Sequence, residues 1–199
     1  MRDFLNSLAS SDPTPGGGGA SALIASIGCC LCSMVANLTT GKKKYAQYQD
    51  KIDEYLVKLK DLNEVLLKDI DKDAEAFKPL AAAYSLDKST PGYDVIMENA
   101  TYEAALAPLE ITRDIYELVP IIEDLSVMGS RLAISDVAVA ASATSAALKG
   151  VVMNVYINTR SLKDREAADK MNVEADKMVN DGCARLGAVY DKIRDGLTC

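Results

Sequence analysis

The sequence predicts an all-α fold, an up-and-down bundle of about five main helices with short extra helices. Apolar residues recur at intervals of three and four along most of the 199-residue chain, and no segment alternates as a half-buried strand would. The length suits one hydrophobic core, so we expect a single domain over residues 1–199. The predicted helices cover 3–10, 20–38, 46–84, 94–118, 131–158 and a segment from 161 to the C-terminal end.

The composition excludes several classes of function. A net charge of −7 argues against nucleic acid or an anionic membrane as the main partner. Histidine is absent, which removes serine–histidine triads, histidine bases and histidine metal sites, so acid–base chemistry falls to Asp, Glu, Lys, Tyr or Cys. Cys29, Cys30 and Cys32 fit neither a disulfide framework nor a zinc site. We expect reduced cysteines, no signal peptide and a cytoplasmic protein.

A glycine-rich loop follows the first short helix, with the sequence Asp-Pro-Thr-Pro-Gly-Gly-Gly-Gly over residues 12–19. Prolines and glycines break the chain here, and the helix that begins after them leaves several backbone N–H groups unpaired. With the helix dipole behind them, these groups form a site for an anion or an electron-rich ligand edge, with Pro15, Gly16, Gly17 and Gly18 as candidate binding residues. The alternative is a plain helix entry whose glycines permit close packing.

The helix after this loop, residues 20–38, carries no charged residue. Such a run predicts a helix buried on nearly every side. A membrane span is the alternative, because the length is sufficient. Serines, an asparagine and Gly28 interrupt the run, and the rest of the chain offers no comparable partner span, so we favour the buried helix and expect no membrane partner.

A basic cluster, Lys42, Lys43 and Lys44, follows a helix stop at Gly41. In an acidic protein these lysines are candidate ligands for a polyanionic substrate. The alternative is a solvated helix end whose positive charges compensate the helix dipole.

The long helix over 46–84 carries an apolar stripe that includes Leu66, Ile70 and Phe77, and the position that continues it between the last two is occupied by Asp73. A carboxylate on a buried stripe needs partners, and desolvation raises its pKa. In a chain without histidine, Asp73 is the candidate catalytic acid–base group; a structural aspartate is the alternative.

Two prolines and one turn divide the next part of the chain. We expect a kink at Pro108 inside the helix over 94–118, a break or bend at Pro120, and a turn at residues 128–130.

The helix over 131–158 has one face of small residues with polar residues at both ends. Small side chains let another backbone or a flat ligand approach closely, so both helix packing and ligand binding are open. The members of this face are Asp136, Ala140, Ala143, Ala147, Gly150, Asn154 and Asn158. Asp136, Asn154 and Asn158 are its candidate binding residues. The last helix is amphipathic and charged, which indicates a solvated outer face.

Several of these segments together resemble the cyclodeaminase domain of formimidoyltransferase-cyclodeaminase and its stand-alone bacterial relatives, some of which are methenyltetrahydrofolate cyclohydrolases. The likeness is collinear and covers nearly the whole chain. The matching segments are Thr14-Pro15-Gly16-Gly17-Gly18, Ser33-Met34-Val35 with Leu38-Thr39, Gly41-Lys42-Lys43-Lys44-Tyr45, Asp73-Ala74-Glu75-Ala76-Phe77, Pro108-Leu109, Ser135-Asp136 and Asn154-Val155-Tyr156-Ile157-Asn158.

The resemblance implies a helical homodimer that binds tetrahydrofolate as the carrier of a one-carbon unit, with no metal. It places the family's proposed catalytic aspartate at Asp73 and its paired asparagines at Asn154 and Asn158. The glycine loop and Lys42–Lys44 would hold the pterin edge or the glutamate carboxylates. This chain departs from the family at Gly19, where a serine is usual, at Gly129-Ser130, where Gly-Asn is usual, and near residues 94–99, where basic residues are often found.

Three functions are therefore expected in order. The first is conversion of 5-formimidoyltetrahydrofolate to 5,10-methenyltetrahydrofolate with release of ammonia, the substrate being supplied by a separate formimidoyltransferase. The second is hydrolysis of 5,10-methenyltetrahydrofolate. The third, from a different class, is a non-catalytic folate-binding or assembly dimer.

Overall fold

The computed structural model describes residues 1–198, which form seven α-helices and no strand. The five long helices, of 21 to 36 residues, are the predicted main helices, and α1 and α5 are the short extra ones. The all-α prediction is confirmed. The helices are α1 (Arg2–Leu8), α2 (Gly17–Asn37), α3 (Gln49–Tyr84), α4 (Tyr93–Tyr116), α5 (Leu118–Met128), α6 (Ile134–Thr159) and α7 (Arg165–Thr198). Single 3-10 segments cover Lys43–Tyr48 and Arg131–Ala133.

Helix α2 lies at the centre of the bundle, between α3 and α6, and α6 packs in turn against α4 and α7. Its inward side consists of small residues, among them Ala25, Cys29 and Cys32, each at most 1% exposed. Burial raises the pKa of the Cys29 thiol to about 12, so this cysteine is a neutral core residue. The four cysteines among residues 1–198 are free, as expected for that part of the chain.

The small-residue face of α6 packs against α2. A β-carbon on Gly28 would lie 2.8 Å from Oγ1 of Thr144, and one on Gly150 would lie 2.6 Å from Oγ of Ser21. Because residue numbers rise along one helix as they fall along the other, the two helices are antiparallel. The packing interpretation of this face is therefore correct over its middle, where larger side chains would separate the helices.

Two helices are long and apolar enough to cross a membrane by length and composition, Gly17–Asn37 and Arg131–Thr159. The expectation that the rest of the chain offers no span comparable to the first is therefore wrong, because the small apolar residues of α6 give it a similar composition. The two mean hydropathies are 1.9 and 1.3, and 56% and 50% of the respective windows are buried inside the bundle. A central core helix has the same composition, so the packing accounts for much of this apolar character.

Pro108 lies inside a continuous helix, whereas Pro120 lies next to a break in the chain. Helix α4 continues through Pro108, whose carbonyl accepts a hydrogen bond from the Thr112 hydroxyl at 2.7 Å. The chain breaks between α4 and α5, and Pro120 occupies the first turn of α5, where a missing N–H costs little. The turn lies where it was predicted. A β-carbon on Gly129 would be 2.5 Å from the carbonyl oxygen of Leu125, so this position has room only for glycine.

Candidate functional site

Asp73 binds the N-terminal end of α2. The backbone N–H of Gly19, in the first turn of that helix, donates a hydrogen bond to Oδ2 of Asp73 at 3.0 Å. Gly16 caps the helix in an extended conformation without a side-chain hydrogen bond. The first N–H groups of the helix therefore need hydrogen-bond acceptors from other parts of the protein or from a ligand. A carboxylate at this end is also stabilised by the helix dipole.

Three glycines let α2 enter between α3 and α6. A β-carbon on Gly17 would lie 3.2 Å from the side-chain nitrogen of Asn154, and one on Gly18 would lie 2.1 Å from Oδ1 of Asp73. On Gly19 it would lie 3.2 Å from the carbonyl oxygen of Ile70. The glycines thus permit close packing, and the same packing places Asp73 and Asn154 beside successive residues of one helix end.

A cavity of about 160 Å³ opens at this point. Of the residues predicted for the site, Gly16, Asp73, Asn154 and Asn158 line it, and Asp73 is the one titratable group in its lining among the described residues. The lining consists of Pro13, Thr14, Gly16, Asp73, Phe77, Ala104, Asn154, Ile157 and Asn158. Five lining residues were not among the predicted site residues: Pro13, Thr14, Phe77, Ala104 and Ile157. Pro13 and Thr14 belong to the glycine-rich loop that was singled out, and its composition was the available signal for them. Nothing in the local sequence distinguishes Ala104 or Ile157 from ordinary helix residues.

Burial raises the pKa of Asp73 above its usual value, and the hydrogen bond from the Gly19 N–H partly opposes that change. The carboxyl group is half-buried and also borders the cavity. A carboxyl group with a raised pKa that faces a cavity is suited to accept and return a proton.

The two asparagines differ in how fully they are bound. Asn158 donates from its side-chain nitrogen to the carbonyl oxygens of Ala104 at 2.7 Å and Asn154 at 3.0 Å. Its donors are occupied, and it offers the cavity a carbonyl oxygen. Asn154 makes only long contacts of 3.4 and 3.5 Å, to carbonyl oxygens of its own helix. Asn154 is therefore the asparagine whose amide is available to a ligand.

Lys42, Lys43 and Lys44 lie beyond the other end of α2. That helix spans Gly17–Asn37, about 30 Å at 1.5 Å per residue, so one chain does not bring these lysines to the Asp73 cavity. The side-chain nitrogen of Lys42 lies 3.5 Å from the Ser130 hydroxyl, and the Tyr45 hydroxyl accepts a hydrogen bond from the Arg131 N–H at 3.0 Å. The lysines thus border the turn before α6.

Asp136 lies at that same end, in the first turn of α6. It is 18 residues before Asn154 on one helix, which corresponds to about 27 Å. Within one chain Asp136 is therefore separate from the cavity, and its position at a helix N-terminus is one that favours a carboxylate.

One buried carboxyl group, that of Asp69, was not predicted from the sequence. Asp69 is 2% exposed, its Oδ2 has no hydrogen-bond partner among the described residues, and it faces Asp114 and Glu110 of α4 together with Lys72. Burial, followed by the charge of Asp114, raises the pKa of Asp69 to about 6. Asp69 lies three residues after Leu66 and four residues before Asp73. This helical spacing was the sequence signal that could have placed it on the buried stripe.

The fold and site define an all-α protein with a carboxyl group held at the N-terminus of a central helix, beside a small cavity. The family described as formiminotransferase-cyclodeaminase matches residues 1–177, and the chain belongs to this family. The family resemblance seen in the sequence is confirmed.

Three known proteins illustrate the relationship. A methenyltetrahydrofolate cyclohydrolase of Methylorubrum extorquens is 35% identical over 198 residues, covering 98% of this chain and 95% of the relative. The formimidoyltransferase-cyclodeaminase of Rattus norvegicus is 27% identical over 168 residues, which cover 82% of this chain but 31% of that protein. The crystal structure of a formiminotetrahydrofolate cyclodeaminase from Thermotoga maritima superimposes with a TM-score of 0.87 at 26% identity, covering 100% of this chain and 97% of the other.

Proposed function

We propose that this protein is a one-carbon folate enzyme that converts 5-formimidoyltetrahydrofolate to 5,10-methenyltetrahydrofolate and releases ammonia. The observation that carries the proposal is the Asp73 carboxyl group, bound by the Gly19 N–H at 3.0 Å and bordering the cavity beside Asn154. The names of the relatives support the substrate class. Tetrahydrofolate takes part as the carrier of the reacting carbon.

Asp73 would move one proton during this reaction. Nitrogen-10 attacks the carbon of the protonated formimidoyl group on nitrogen-5, giving a carbon bonded to three nitrogens. Asp73 accepts the proton from nitrogen-10 and gives it to the amino group, which leaves as ammonia while the electron pair of nitrogen-10 forms the methenyl cation. Protons and charge balance without another reactant. Burial raises the pKa of Asp73, which suits a group that must both take and return a proton.

The cavity groups have complementary roles in holding the pterin. The Asn154 amide can donate to and accept from a pterin amide edge, and Asn158 offers its carbonyl oxygen. The unpaired N–H groups at the start of α2 would donate hydrogen bonds to an electron-rich edge of the ring.

Hydrolysis of 5,10-methenyltetrahydrofolate is the second candidate. It is favoured by the 35% identity to a cyclohydrolase along almost the full length of both chains. In this reaction water adds to the methenyl carbon, one carbon–nitrogen bond of the bridge breaks, and one proton is released. Asp73 would take the proton from water, so the same cavity serves either reaction.

Parallel assays of one purified preparation separate these reactions. Ammonia release from 5-formimidoyltetrahydrofolate identifies the deaminase, and loss of the methenyl absorbance identifies the hydrolase. Folate binding without either reaction would leave the non-catalytic dimer as the function. Absence of both binding and turnover would refute a folate enzyme.

The working assembly belongs to this proposal as well. We expect a cytoplasmic homodimer that needs no metal and receives its substrate from a separate formimidoyltransferase. No cluster of metal-ligating side chains occurs in residues 1–198. Light scattering, metal analysis of the active enzyme and a coupled transferase assay test these expectations.

A further inference from the structure

The Asp73 cavity lies beyond the first residue of α2, between two helices that continue past it. The Gly19 N–H of α2 contacts Asp73 of α3. Further along α2, Ser26 contacts Asn63, which precedes Asp73 on α3. Helix α3 therefore runs antiparallel to α2, as α6 does. Both helices extend beyond the start of α2, and the N-terminal end of α2 is the floor of the cavity between them.

Two large apolar side chains line this cavity from opposite helices. Phe77 follows Asp73 by four residues on α3, which is about 6 Å along the helix axis. Ile157 follows Asn154 by three residues on α6, which is about 4.5 Å along the axis. Since Asp73 and Asn154 flank the first turn of α2, the two apolar side chains lie at nearly the same height above that turn.

The two side chains differ in how far the protein covers them. Phe77 is half-buried against the apolar cluster that contains Leu80 and Ala104, and it is the one aromatic residue in the described lining. Ile157 is 60% exposed, so it lies where the cavity opens to solvent. Ligand sites typically combine apolar and aromatic walls with a few polar groups, and this lining has that composition.

The cavity has room for one part of a folate. Its volume of about 160 Å³ lies below the roughly 300–1,000 Å³ that is typical of sites for drug-sized ligands. The reacting carbon of a folate lies between the pterin and the benzoyl ring, and it must reach Asp73. Either ring could therefore occupy the cavity while the other stays outside.

The polar groups of the lining distinguish between these two rings. The Asn154 amide makes only long contacts of 3.4 and 3.5 Å, and Asn158 offers its side-chain carbonyl oxygen. The edge of a pterin carries amide and amino groups that can pair with both asparagines. The edge of a benzoyl ring has no donor or acceptor and would leave these polar groups unpaired in a covered site, which is unfavourable.

We propose that Phe77 and Ile157 form an apolar clamp that holds the pterin ring of the folate flat between α3 and α6, with the benzoyl and glutamate parts outside the cavity. The clamp rests on the proposed function, since it names the part of the substrate that this site binds. The Phe77 ring stacks on one face of the pterin and Ile157 covers the other face. The small side chain of Ala104 leaves room for the edge of the ring.

Binding of the two halves of a folate tests the clamp without any turnover. One probe is 6-hydroxymethylpterin, measured by the anisotropy of its own fluorescence, and the other is p-aminobenzoylglutamate, added as a competitor. The pterin should bind to the wild-type protein, and p-aminobenzoylglutamate should leave it bound. A pterin that fails to bind, or that p-aminobenzoylglutamate displaces, would overturn the clamp.

Removing either wall should weaken pterin binding. Ile157→Ala deletes an exposed side chain on which the fold depends little, and the Kd of the pterin should rise about three- to tenfold. Met153→Ala is the matched control, because Met153 is 57% exposed one turn earlier on α6 and does not line this cavity. Phe77→Leu keeps an apolar side chain but loses the stacking face, and the Kd should rise by a similar factor. Unchanged pterin affinity in either clamp variant, with a normal urea denaturation curve, contradicts the proposal.

Filling the cavity is a second, independent test. Ala104→Leu should weaken pterin binding more than tenfold, because the larger side chain occupies the space of the ring edge. Ala100→Leu adds the same volume to the same apolar cluster outside the cavity and should retain pterin binding. Equal pterin affinities of these two variants would show that the ring binds elsewhere.

Kinetics on the complete substrate separate the clamp from the proposed function. The clamp touches the ring equally before and during the reaction, so Ile157→Ala should raise KM with little change in kcat. Wild-type protein that binds the pterin but is inactive on both folates would refute the proposed function and leave the clamp in place. An active wild type, with Ile157→Ala and Phe77→Leu variants of normal KM, would refute the clamp alone.

Discussion

Gly18 and Asp73 are in such close contact that a β-carbon on the glycine would lie 2.1 Å from Oδ1 of the aspartate. Real β-carbons do not approach an oxygen so closely, so Gly18→Ala must displace either the carboxyl group or the first turn of α2. We expect turnover to fall at least tenfold, because the hydrogen bond from Gly19 depends on this geometry. Steady-state kinetics on the folate substrate measure the loss.

Gly187 offers a matched glycine-to-alanine control. It lies inside α7, and nothing is within 4 Å of the position its β-carbon would occupy. Gly187→Ala should keep full turnover and raise the free energy of unfolding by roughly 0.5–1 kcal/mol through helix propensity. Normal turnover in Gly18→Ala would show that the close contact has no role in the site.

Replacing Asp73 with asparagine keeps the shape of the side chain and an oxygen that can accept the Gly19 hydrogen bond, but removes the proton carrier. Turnover should fall by at least about a hundredfold, the lower end of general acid–base contributions, with little change in substrate affinity. Asp71→Asn, an exposed position two residues earlier on α3, is the control and should remain active. A fully active Asp73→Asn enzyme would exclude this group from the mechanism.

The buried carboxyl group of Asp69 predicts a stability that depends on pH. Its pKa is raised from 3.8 to about 6, by burial first and by Asp114 second, so the folded protein retains a proton that the unfolded chain releases. The contribution of Asp69 to stability is therefore full below about pH 4 and declines as the pH rises from there to about 6.

Asp69→Asn stays neutral and should remove that decline. Relative to wild type, its free energy of unfolding should change little near pH 4 and increase by on the order of 2 kcal/mol at pH 7. Urea denaturation across this pH range measures the difference in the free energy of unfolding. The measured difference includes any change in the ionisation of Lys72, Glu110 and Asp114, which face Asp69. A difference between the two proteins that is constant with pH would contradict the assignment.

The hydrogen bonds of the two asparagines predict that substitution affects protein stability much more at Asn158 than at Asn154. Asn158→Asp points a carboxylate at the carbonyl oxygens of Ala104 and Asn154, now bonded at 2.7 and 3.0 Å, and should lower the free energy of unfolding by roughly 2–3 kcal/mol. Asn154→Asp loses only contacts of 3.4 and 3.5 Å and should change stability by less than about 1 kcal/mol.

Substitution of Asn154 should instead weaken substrate binding. Because its amide is available to the ligand, Asn154→Asp should raise KM about tenfold while the fold is retained. Denaturation and kinetics on both variants make the comparison. Equal losses of stability at the two positions would contradict the division of roles.

The sequence predicted the bundle well because its strongest signals are periodic. The uncharged run after Gly19 and the three-and-four stripe of α3 both predicted helices, and both are helices. The expectation that the first would be buried on nearly every side is wrong, because Ile24, Ile27 and Met34 are exposed along one side of it. Asp73 could be predicted from the periodicity of α3, since a carboxylate on an apolar stripe contradicts the pattern around it.

Other parts of the site were not predictable from local pattern. Ala104 and Ile157 line the cavity only because α4 and α6 meet there, and that is a property of packing. The separation of Lys42 from Gly17, in contrast, followed from the length of the predicted helix between them. Both were placed in one site because the family resemblance aligns residues along a chain and contains no information about the distances between them.

The donor that holds Asp73 is a main-chain N–H, and this limits how the site can be disturbed. A peptide amide neither ionises in water nor oxidises, and no side-chain replacement at position 19 deletes it unless proline is introduced. The partial positive charge at this end of α2 is therefore the same at every pH at which the protein is folded. Asp73 is the one titratable group among the described residues that line the cavity, so among these residues a pH dependence of turnover between acidic and neutral pH would come from Asp73.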